Sequence, residues 1–302
     1  MVTPAEGPAA AAEPKRPALA WLAILQAPIS GSLRSSSEGD GVLGPTSVAL
    51  QMGEGALQPD NLVRPVPFSA AHTYLTYEPR NQTLTLDEFA LQADLVSAVA
   101  HGKAVLGDMT QGVPSELLVQ LEFTKLEVNP NKLADSPIAL ESAFADFRLR
   151  LDPFELSLGQ LVLAQQGQRL SLSGQMSPDE ADWDYQLDGA MTGLEKDAVL
   201  GVWPDGLKPR LRAWIEQNIH KIDLTDINLA LRSRKQGPPD VYADFRFSDL
   251  TMRFMKTMPL LQGAKGTATL LRNQFIIGAE AGYVVADQGG RIDATGTRFV
   301  VL

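Results

Sequence analysis

Apolar and polar residues alternate most clearly between residues 154 and 176. A period of two is typical of a β-strand with one apolar face, whereas an amphipathic helix has a period of about 3.6. The alternation changes phase once, at Gly159 and Gln160, and a turn divides the stretch into two halves. The pattern therefore predicts a strand, a turn and a second strand that share one apolar face.

Two other segments repeat this pattern. Residues 84–102 match the stretch at a constant offset of 72 residues, and residues 286–296 match its second half at an offset of 122 residues. In each match a glycine aligns with Gly174. Repetition of one hairpin unit predicts an elongated sheet rather than a compact domain with a deep pocket.

Shorter segments continue the alternation along the chain. Between residues 117 and 128 the phase changes at Leu126, as a β-bulge produces. Prolines interrupt the apolar runs between residues 42 and 77, and proline confines a strand to a sheet edge or makes it irregular. The other alternating segments are residues 145–151, 183–191, 222–232 and 241–247. The interrupting prolines are Pro45, Pro59, Pro65 and Pro67.

The pattern divides the chain into three parts. Residues 1–41 begin rich in Ala, Pro and Glu at 1–17 and end rich in Ser and Gly at 30–41, which predicts a flexible tail followed by a loop. Residues 42–200 form the repetitive β segment. Residues 201–302 form a β segment that contains a helix and continues the preceding sheet.

The segment from residue 203 to residue 219 interrupts the β pattern. Its apolar residues have helical spacing, with charged residues on the other side, which predicts one amphipathic helix of about four turns. The helix is expected to pack on the sheet or to act as a lid. The residues expected to make these contacts are Trp203, Leu207, Leu211, Trp214 and Ile215.

These elements predict a mainly β protein: an elongated, curled antiparallel β-sheet with groove-like repeat architecture and one short amphipathic helix. The apolar strand positions are candidates for lining the groove. They are Leu84, Leu86, Phe89, Leu91, Leu121, Phe123, Phe147, Leu149, Leu151, Leu156, Leu158, Leu161, Leu163, Leu170, Leu172, Leu187, Leu229, Leu231, Phe245 and Phe247.

Composition excludes several classes of function. The chain has 36 acidic and 26 basic residues and a net charge of −10, so it lacks the basic character of a nucleic-acid-binding protein. It has no cysteine, which removes disulfides and thiolate chemistry and suits an oxidising compartment. The acidic group at residues 179–184 suggests calcium, but a solvated turn is favoured because the glycine and distal glutamate of a calcium loop are missing. The sequence predicts no metal and no cofactor.

Catalytic motifs were sought and not found in the sequence, so we expect no enzyme activity and no catalytic residues. The apolar stretch at residues 18–25 has about eight residues, far fewer than the ~20 that span a bilayer. Its proline-rich acidic leader is also wrong for a signal peptide. Any membrane anchor is therefore expected to lie outside this chain, which has the character of a fragment of a longer repetitive protein.

The last hundred or so residues carry a family resemblance. The sequence WPDGLKPRLRAWIEQNI at residues 203–219, followed by FRFSDLTMRFMKTMPLLQGAKGTATL at residues 245–270, resembles the AsmA-like family of bacterial envelope proteins, in particular its large YhdP- and TamB-related members. At His220 and Lys221 the chain departs from the glycines that often follow the helix in this family. The resemblance implies a periplasmic protein that is anchored in the inner membrane and conducts phospholipids toward the outer membrane.

Two functions remain open at the level of sequence. An apolar face that only one helix can cover must meet a second sheet, itself, or an acyl chain. The first hypothesis is a groove for a phospholipid or another acyl-chain lipid. The alternative is a closed β-sandwich or solenoid that acts as a structural spacer or docks other envelope proteins. Both need the same alternation, so the residues alone favour neither.

Overall fold

The computed structural model describes residues 24–37, 43–110, 113–128, 138–202, 209–235, 237–253, 257–272, 274–286 and 288–301. These residues form 20 strands and two helices. The elements are β1 (Leu25–Gln26), β2 (Ile29–Ser37), β3 (Leu43–Met52), β4 (Gly55–Leu57), β5 (Val66–Phe68), β6 (Ala70–Glu78), β7 (Thr83–Gln92), β8 (Val96–Thr110), β9 (Val113–Val128), β10 (Ile138–Ala139), β11 (Ser142–Leu151), β12 (Phe154–Gln165), β13 (Gln168–Asp179), β14 (Asp182–Glu195), α1 (Lys196–Val202), α2 (Pro209–Asn218), β15 (Ile219–Arg232), β16 (Asp240–Met252), β17 (Leu261–Leu271), β18 (Gln274–Val285), β19 (Arg291–Asp293) and β20 (Arg298–Val301).

Most strands belong to one large antiparallel sheet, as the alternation predicted. The order of the long strands is β2, β3, β6, β7, β8, β9, β11, β12, β13, β14, β15, β16, β17, β18. The short strand β10 pairs with the end of β9, and β19 and β20 pair with β18. In the described residues no ladder joins β2 to β18, β19 or β20, so the sheet is open and has two edges.

Directly paired residues in an antiparallel ladder present their side chains on the same face of the sheet. One continuous row of such pairs runs through Leu86, Gly102, Leu121, Ala145 and Leu161. It continues through Leu172, Gly189 and Leu229. The apolar residues of successive strands therefore form one uninterrupted face, which we call the inner face. The residues between them, most of which are polar, form the outer face.

The predicted repeat at an offset of 72 residues is confirmed in the ladder. The register shifts between Leu86 and Phe89 in β7 and between Leu158 and Leu161 in β12, the second at the predicted break in phase. A shift in the ladder also confirms the break near Leu126, because Val99 pairs with Lys125 whereas Ala100 pairs with Phe123. β-bulges of this kind bend a strand and increase its twist, so their repetition promotes curling of the sheet.

The predicted match between Gly296 and Gly174 is wrong in structural terms. Gly296 lies in a turn with φ of +80°, and a Cβ atom there would meet nothing within 4 Å. The position comparable to Gly174 is Gly266, which pairs with Phe247 next to another register shift. A Cβ atom on Gly266 would lie 1.9 Å from the carbonyl oxygen of Gly278. The sequence match failed because β19 has three residues, so the chain turns before it reaches the aligned glycine.

A small second sheet lies against the inner face. Strand β4 pairs with β1 on one side and with β5 on the other. Phe68 of β5 packs in a cluster with Ala71 of β6 and near Leu91 of β7, while Val63 packs with Phe154 of β12 and Trp183 of β14. We call residues 55–68, which carry both contacts, the crossbar.

The crossbar shows that the large sheet is curled. Six strand spacings separate β7 from β14 in the ladder, which corresponds to roughly 29 Å across a flat sheet. The backbone fixes both ends of this segment, because the N–H of Arg64 donates to the carbonyl oxygen of Ala181 between β13 and β14 at 3.2 Å and the N–H of Ser69 donates to that of Gln92 at the end of β7 at 2.7 Å. The five residues from Arg64 to Ser69 span at most about 17 Å. Because this short segment contacts both regions on the apolar face, the sheet bends around it. The apolar face is therefore the concave one.

The predicted helix is present as α2, and residues 203–208 of the predicted segment lie outside the described residues. α2 has 10 residues and is preceded by α1, a second helix of seven residues that the pattern did not predict. Among the described residues, neither helix is long and apolar enough to cross a membrane. The predicted loop at residues 30–41 was wrong for residues 30–37, which belong to β2. This strand is exposed at every position and is held by backbone pairing with β3, which needs no apolar side chains.

Candidate functional site

The structure places all twenty predicted groove residues on the inner face. Their ladder partners are inner-face residues of the neighbouring strands, for example Leu149 opposite Leu156 and Leu187 opposite Leu231. Most are half-buried; Leu121 and Phe247 are buried, and Leu229 is exposed. Of the predicted helix residues, Trp214 and Ile215 lie in α2 and are half-buried. Leu211 lies within α2, and Trp203 and Leu207 lie outside the described residues.

Part of the inner face is filled by the protein's own side chains. On β8 and β9 a buried cluster forms from Ala100, Ala104, Val119 and Leu121. Small alanines allow neighbouring large side chains to close over them. The predicted groove residues that pack against this cluster are Leu84, Leu86, Phe123 and Phe147. In this region the inner face is a conventional hydrophobic core.

The inner face of β12–β15 is different. Eight leucines there belong to none of the buried clusters formed by the described residues. Seven are half-buried and Leu229 is 38% exposed. We call this surface the leucine floor; it consists of Leu156, Leu158, Leu161, Leu170, Leu172, Leu187, Leu229 and Leu231.

Ladder pairing makes the leucine floor continuous. Leu161 pairs with Leu172, and Gly189 pairs with both Leu172 and Leu229. The next row joins Leu158 to Leu187 through Gly174. Gly189 and Gly174, at the centre of the two rows, have no side chain to cover the sheet, so the leucine side chains form the surface that a ligand would contact. The arrangement forms an aliphatic strip across four neighbouring strands.

The crossbar covers one border of the leucine floor. Val63 is 1% exposed and packs with Phe154 and Trp183. The two aromatic rings meet edge to face, with centroids 5.8 Å apart. The half-buried residues that pack against this cluster are Ile24, Leu57, Leu149, Met176 and Tyr185.

Arg64 joins the crossbar to the β13–β14 hairpin. Its backbone N–H donates to the carbonyl oxygen of Ala181 at 3.2 Å, and its own carbonyl oxygen accepts a hydrogen bond from Nε1 of Trp183 at 2.8 Å. Its guanidinium lies 2.9 Å from Oδ1 of Asp182. These contacts tether the crossbar at the border of the leucine floor.

Helix α2 covers a second region, on β15–β17. Trp214 packs against a buried cluster that contains Phe247, Leu250 and Ala264. Phe245 packs against the same cluster and meets Phe275 at a centroid distance of 6.4 Å. The prediction that the tryptophan of the helix packs on the sheet is confirmed. The leucine floor lies between this region and the crossbar.

Charged residues concentrate on the outer face, where they form cross-strand pairs. Arg150 lies 3.1 Å from Glu155, and Arg246 lies 3.0 Å from Glu280. Lys221 donates a hydrogen bond to Asp249, and this bond and the charge of Asp249 raise the pKa of Lys221 above its ordinary value of 10.5. The outer face is therefore a solvated surface with paired charges, in contrast to the inner face.

The acidic residues at 179–184 lie in the β13–β14 hairpin, as the turn interpretation predicted. Asp182 contacts Arg64, and Asp184 accepts a hydrogen bond from the hydroxyl of Ser233. Asp179 lies 3.2 Å from Lys235 and raises the pKa of that lysine through a hydrogen bond and its charge. Among the described residues, no group of three or more His, Asp or Glu side chains is arranged to hold a metal ion.

Sequence reasoning missed the crossbar. Its contacts join residues more than a hundred positions apart, such as Arg64 and Trp183, and no local period reports them. The one local feature of the sequence that marks the crossbar is its prolines, Pro59, Pro65 and Pro67, which indicate short or irregular strands. Pro67 lies in the three-residue strand β5, consistent with the expectation of an irregular strand at a sheet edge.

Comparison with known proteins finds no family model, no curated protein and no solved structure that matches this chain.

Proposed function

We propose that this chain holds or conducts the acyl chains of phospholipids, or of other lipids with acyl chains, along the inner face of its curled sheet. The observation that carries the proposal is the leucine floor: eight aliphatic side chains on four adjacent strands, on the concave side of the sheet and outside the buried clusters. Contiguous apolar surface that a protein leaves uncovered commonly marks a binding site.

The chemistry of the surface suits an acyl chain. The leucine floor offers no charged side chain to a ligand, so binding would depend on burial of apolar area. Each buried methylene contributes about 0.8 kcal/mol, so a chain of about 16 carbons gains on the order of 10 kcal/mol before the entropic cost of binding. A lipid would be retained without contacts to its headgroup.

The proposed location rests on the family resemblance. The resemblance of residues 203–219 and 245–270 to AsmA-like envelope proteins supports a place in the periplasm, within a bridge-like protein anchored in the inner membrane by a segment outside this sequence. The absence of cysteine suits that compartment. The lipid path would then lead between the inner and outer membranes. Catalysis, a cofactor and nucleic acid have no part in this proposal.

Purification without detergent from a bacterial host, followed by native mass spectrometry, tests the proposal. We expect protein ions with the added mass of one or more phospholipids, which dissociate on collisional activation. Organic extraction of the same sample should release the lipids for identification. Folded protein that carries no lipid, and that takes up none from added lysophospholipid monomers, would contradict the proposal.

A structural or protein-docking role in envelope assembly is the second candidate. The observation that favours it is exposure of both sheet edges: β2 is exposed throughout, and Phe299 and Val300 of β20 are 37% and 48% exposed. Open strand edges pair readily with other strands. A lipid-free protein that forms a defined complex through β2 or β20 would favour this role.

A further inference from the structure

We infer that the crossbar is a displaceable occupant of the inner face and that an acyl chain extending from the leucine floor takes its place. This inference rests on the proposed function, because it concerns the regulation of the same surface. It assigns the crossbar a closed position, seen in the structure, and a displaced position in which Phe154 and Trp183 contact lipid.

The crossbar lies where a ligand on the floor would extend. Leu156 belongs to the leucine floor and pairs directly with Leu149 on one side and Met176 on the other. Both of these neighbours pack against the cluster of Val63, Phe154 and Trp183. The apolar surface therefore passes without a gap from the leucine floor to the residues beneath the crossbar, and an acyl chain that follows this surface meets the crossbar.

The crossbar and an acyl chain make equivalent contacts with the inner face. The side chain that the crossbar buries most deeply here is the aliphatic Val63. Leu57 of β4 is half-buried and packs against the same cluster, whereas Leu62 and Val66 are 73% and 38% exposed, so the crossbar contacts this site mainly through two aliphatic side chains. Methylene groups of a lipid can replace the contacts of Val63 at similar free energy per unit of buried area.

The backbone of the crossbar can leave the inner face as a unit. Strand β4 is paired on both sides within the small sheet, by β1 and β5. Gln58 adds bonds inside the same unit, since its N–H donates to the carbonyl oxygen of Ile24 and its Nε2 donates to that of Val63 at 2.8 Å. These bonds persist when the unit moves, so the main-chain groups that form them keep their partners.

The tether at Arg64 is compatible with release. The side chains of Arg64 and Asp182 are 70% and 47% exposed, and ion pairs with such exposure contribute little to stability. The two backbone-linked bonds of Arg64, to Ala181 and from Trp183, lie at the hairpin turn, where water can replace the lost partners. The contacts of Arg64 can therefore exchange for contacts with water when a ligand takes the place of the crossbar.

The test uses the absence of cysteine from the chain. In the variant Val63→Cys the single thiol is buried in the closed position, so it reacts slowly with maleimide. Addition of palmitoyl-lysophosphatidylcholine as monomers should raise its labelling rate by about tenfold or more, because ligand binding shifts the population to the displaced position. The matched control is Leu62→Cys, whose thiol is exposed in both positions and should label at an unchanged rate.

A second variant tests the inference without a substitution at the buried position 63, where cysteine could disturb the packing. In the double variant Arg64→Cys with Ala181→Cys, an oxidised disulfide fixes the crossbar to the hairpin. We expect the oxidised protein to bind less lysophospholipid than the wild type by native mass spectrometry, and reduction to restore binding. Equal binding by the oxidised and reduced forms would overturn the inference.

The outcomes separate the inference from the proposed function. Lipid binding with unchanged labelling of Val63→Cys overturns the displaceable crossbar and leaves the lipid surface in place elsewhere on the inner face. Absence of lipid binding overturns both. Lipid binding together with faster labelling of Val63→Cys, but not of Leu62→Cys, supports both.

Discussion

Gly174 lies so close to the next strand that a Cβ atom on it would be 2.2 Å from the carbonyl oxygen of Gln186. Gly102 has the same relationship to Gln120 at 1.9 Å. Gly174 pairs with Leu158 and Gly102 pairs with Leu86, and in both cases a β-bulge follows the leucine on its strand. A glycine on one strand therefore lies opposite the start of a bulge on the neighbouring strand. The combination brings three strands close together at the point where the sheet bends.

Gly174→Ala should therefore destabilise the protein. The added methyl group meets backbone atoms, which cannot rotate away, and such overpacking costs about 1–3 kcal/mol. Urea denaturation gives the free energy of unfolding. The control is Gly201→Ala in α1, where a Cβ atom meets nothing within 4 Å and alanine favours the helix. A Gly174→Ala protein as stable as the wild type would show that the strands do not need this close approach.

Leu172→Asp should abolish lipid binding. Leu172 lies in the leucine floor and is half-buried, so a carboxylate there places charge against the proposed position of the acyl chain while water still reaches it. The matched control is Ser173→Asp, because the next residue of the strand points to the outer face and is exposed. The measurement is the amount of co-purified phospholipid per protein by mass spectrometry, with a thermal melt of each variant. Retention of lipid by folded Leu172→Asp protein would place the lipid elsewhere.

Phe247→Ala and Phe144→Ala should differ strongly in stability. Phe247 is 4% exposed and lies in the cluster beneath α2, so its truncation leaves a cavity and costs about 3–5 kcal/mol. Phe144 is 38% exposed, and surface substitutions away from special features usually change stability by about 0.5 kcal/mol or less. Denaturant titration of both variants gives the comparison. Similar losses would mean that the region under α2 is no better packed than the outer face.

The ion pair of Lys221 and Asp249 should make a contribution to stability that disappears at high pH. The folded-state pKa of Lys221 is raised, so the contribution is present below the ordinary value of 10.5 and is lost as the pH rises through the raised value. The measurement is the difference in free energy of unfolding between the wild type and Asp249→Asn. Asparagine suits this position because it tolerates the positive φ of 52° found there.

We expect that difference to be constant from neutral pH to about pH 10, to fall as the pH rises past 10.5, and to vanish above the raised pKa of Lys221. It should also shrink in about 1 M salt, because both groups are exposed and salt screens them. A difference that persists unchanged above the raised pKa of Lys221 would show that Asp249 acts through its backbone conformation rather than through its charge.

The alternation of residues was sufficient to predict which side chains share the inner face. Successive side chains of a strand point to opposite faces, so Leu156, Leu158 and their counterparts could be assigned to one face without knowledge of the partners of each strand. The breaks in phase at Gly159 and near Leu126 were also visible, because a bulge changes the period locally. The helix could be placed from the spacing of Trp214 and Ile215.

By itself, the sequence determined that this chain folds mainly into strands with one apolar face, since that property depends on the local period alone. Only the tertiary structure decided where that face is filled and where it is open. Val63 reaches Trp183, and Ala100 and Ala104 are closed over by neighbouring side chains, through the curl of the sheet. The curl is the sum of small bends at many strands, and no single segment of sequence encodes it.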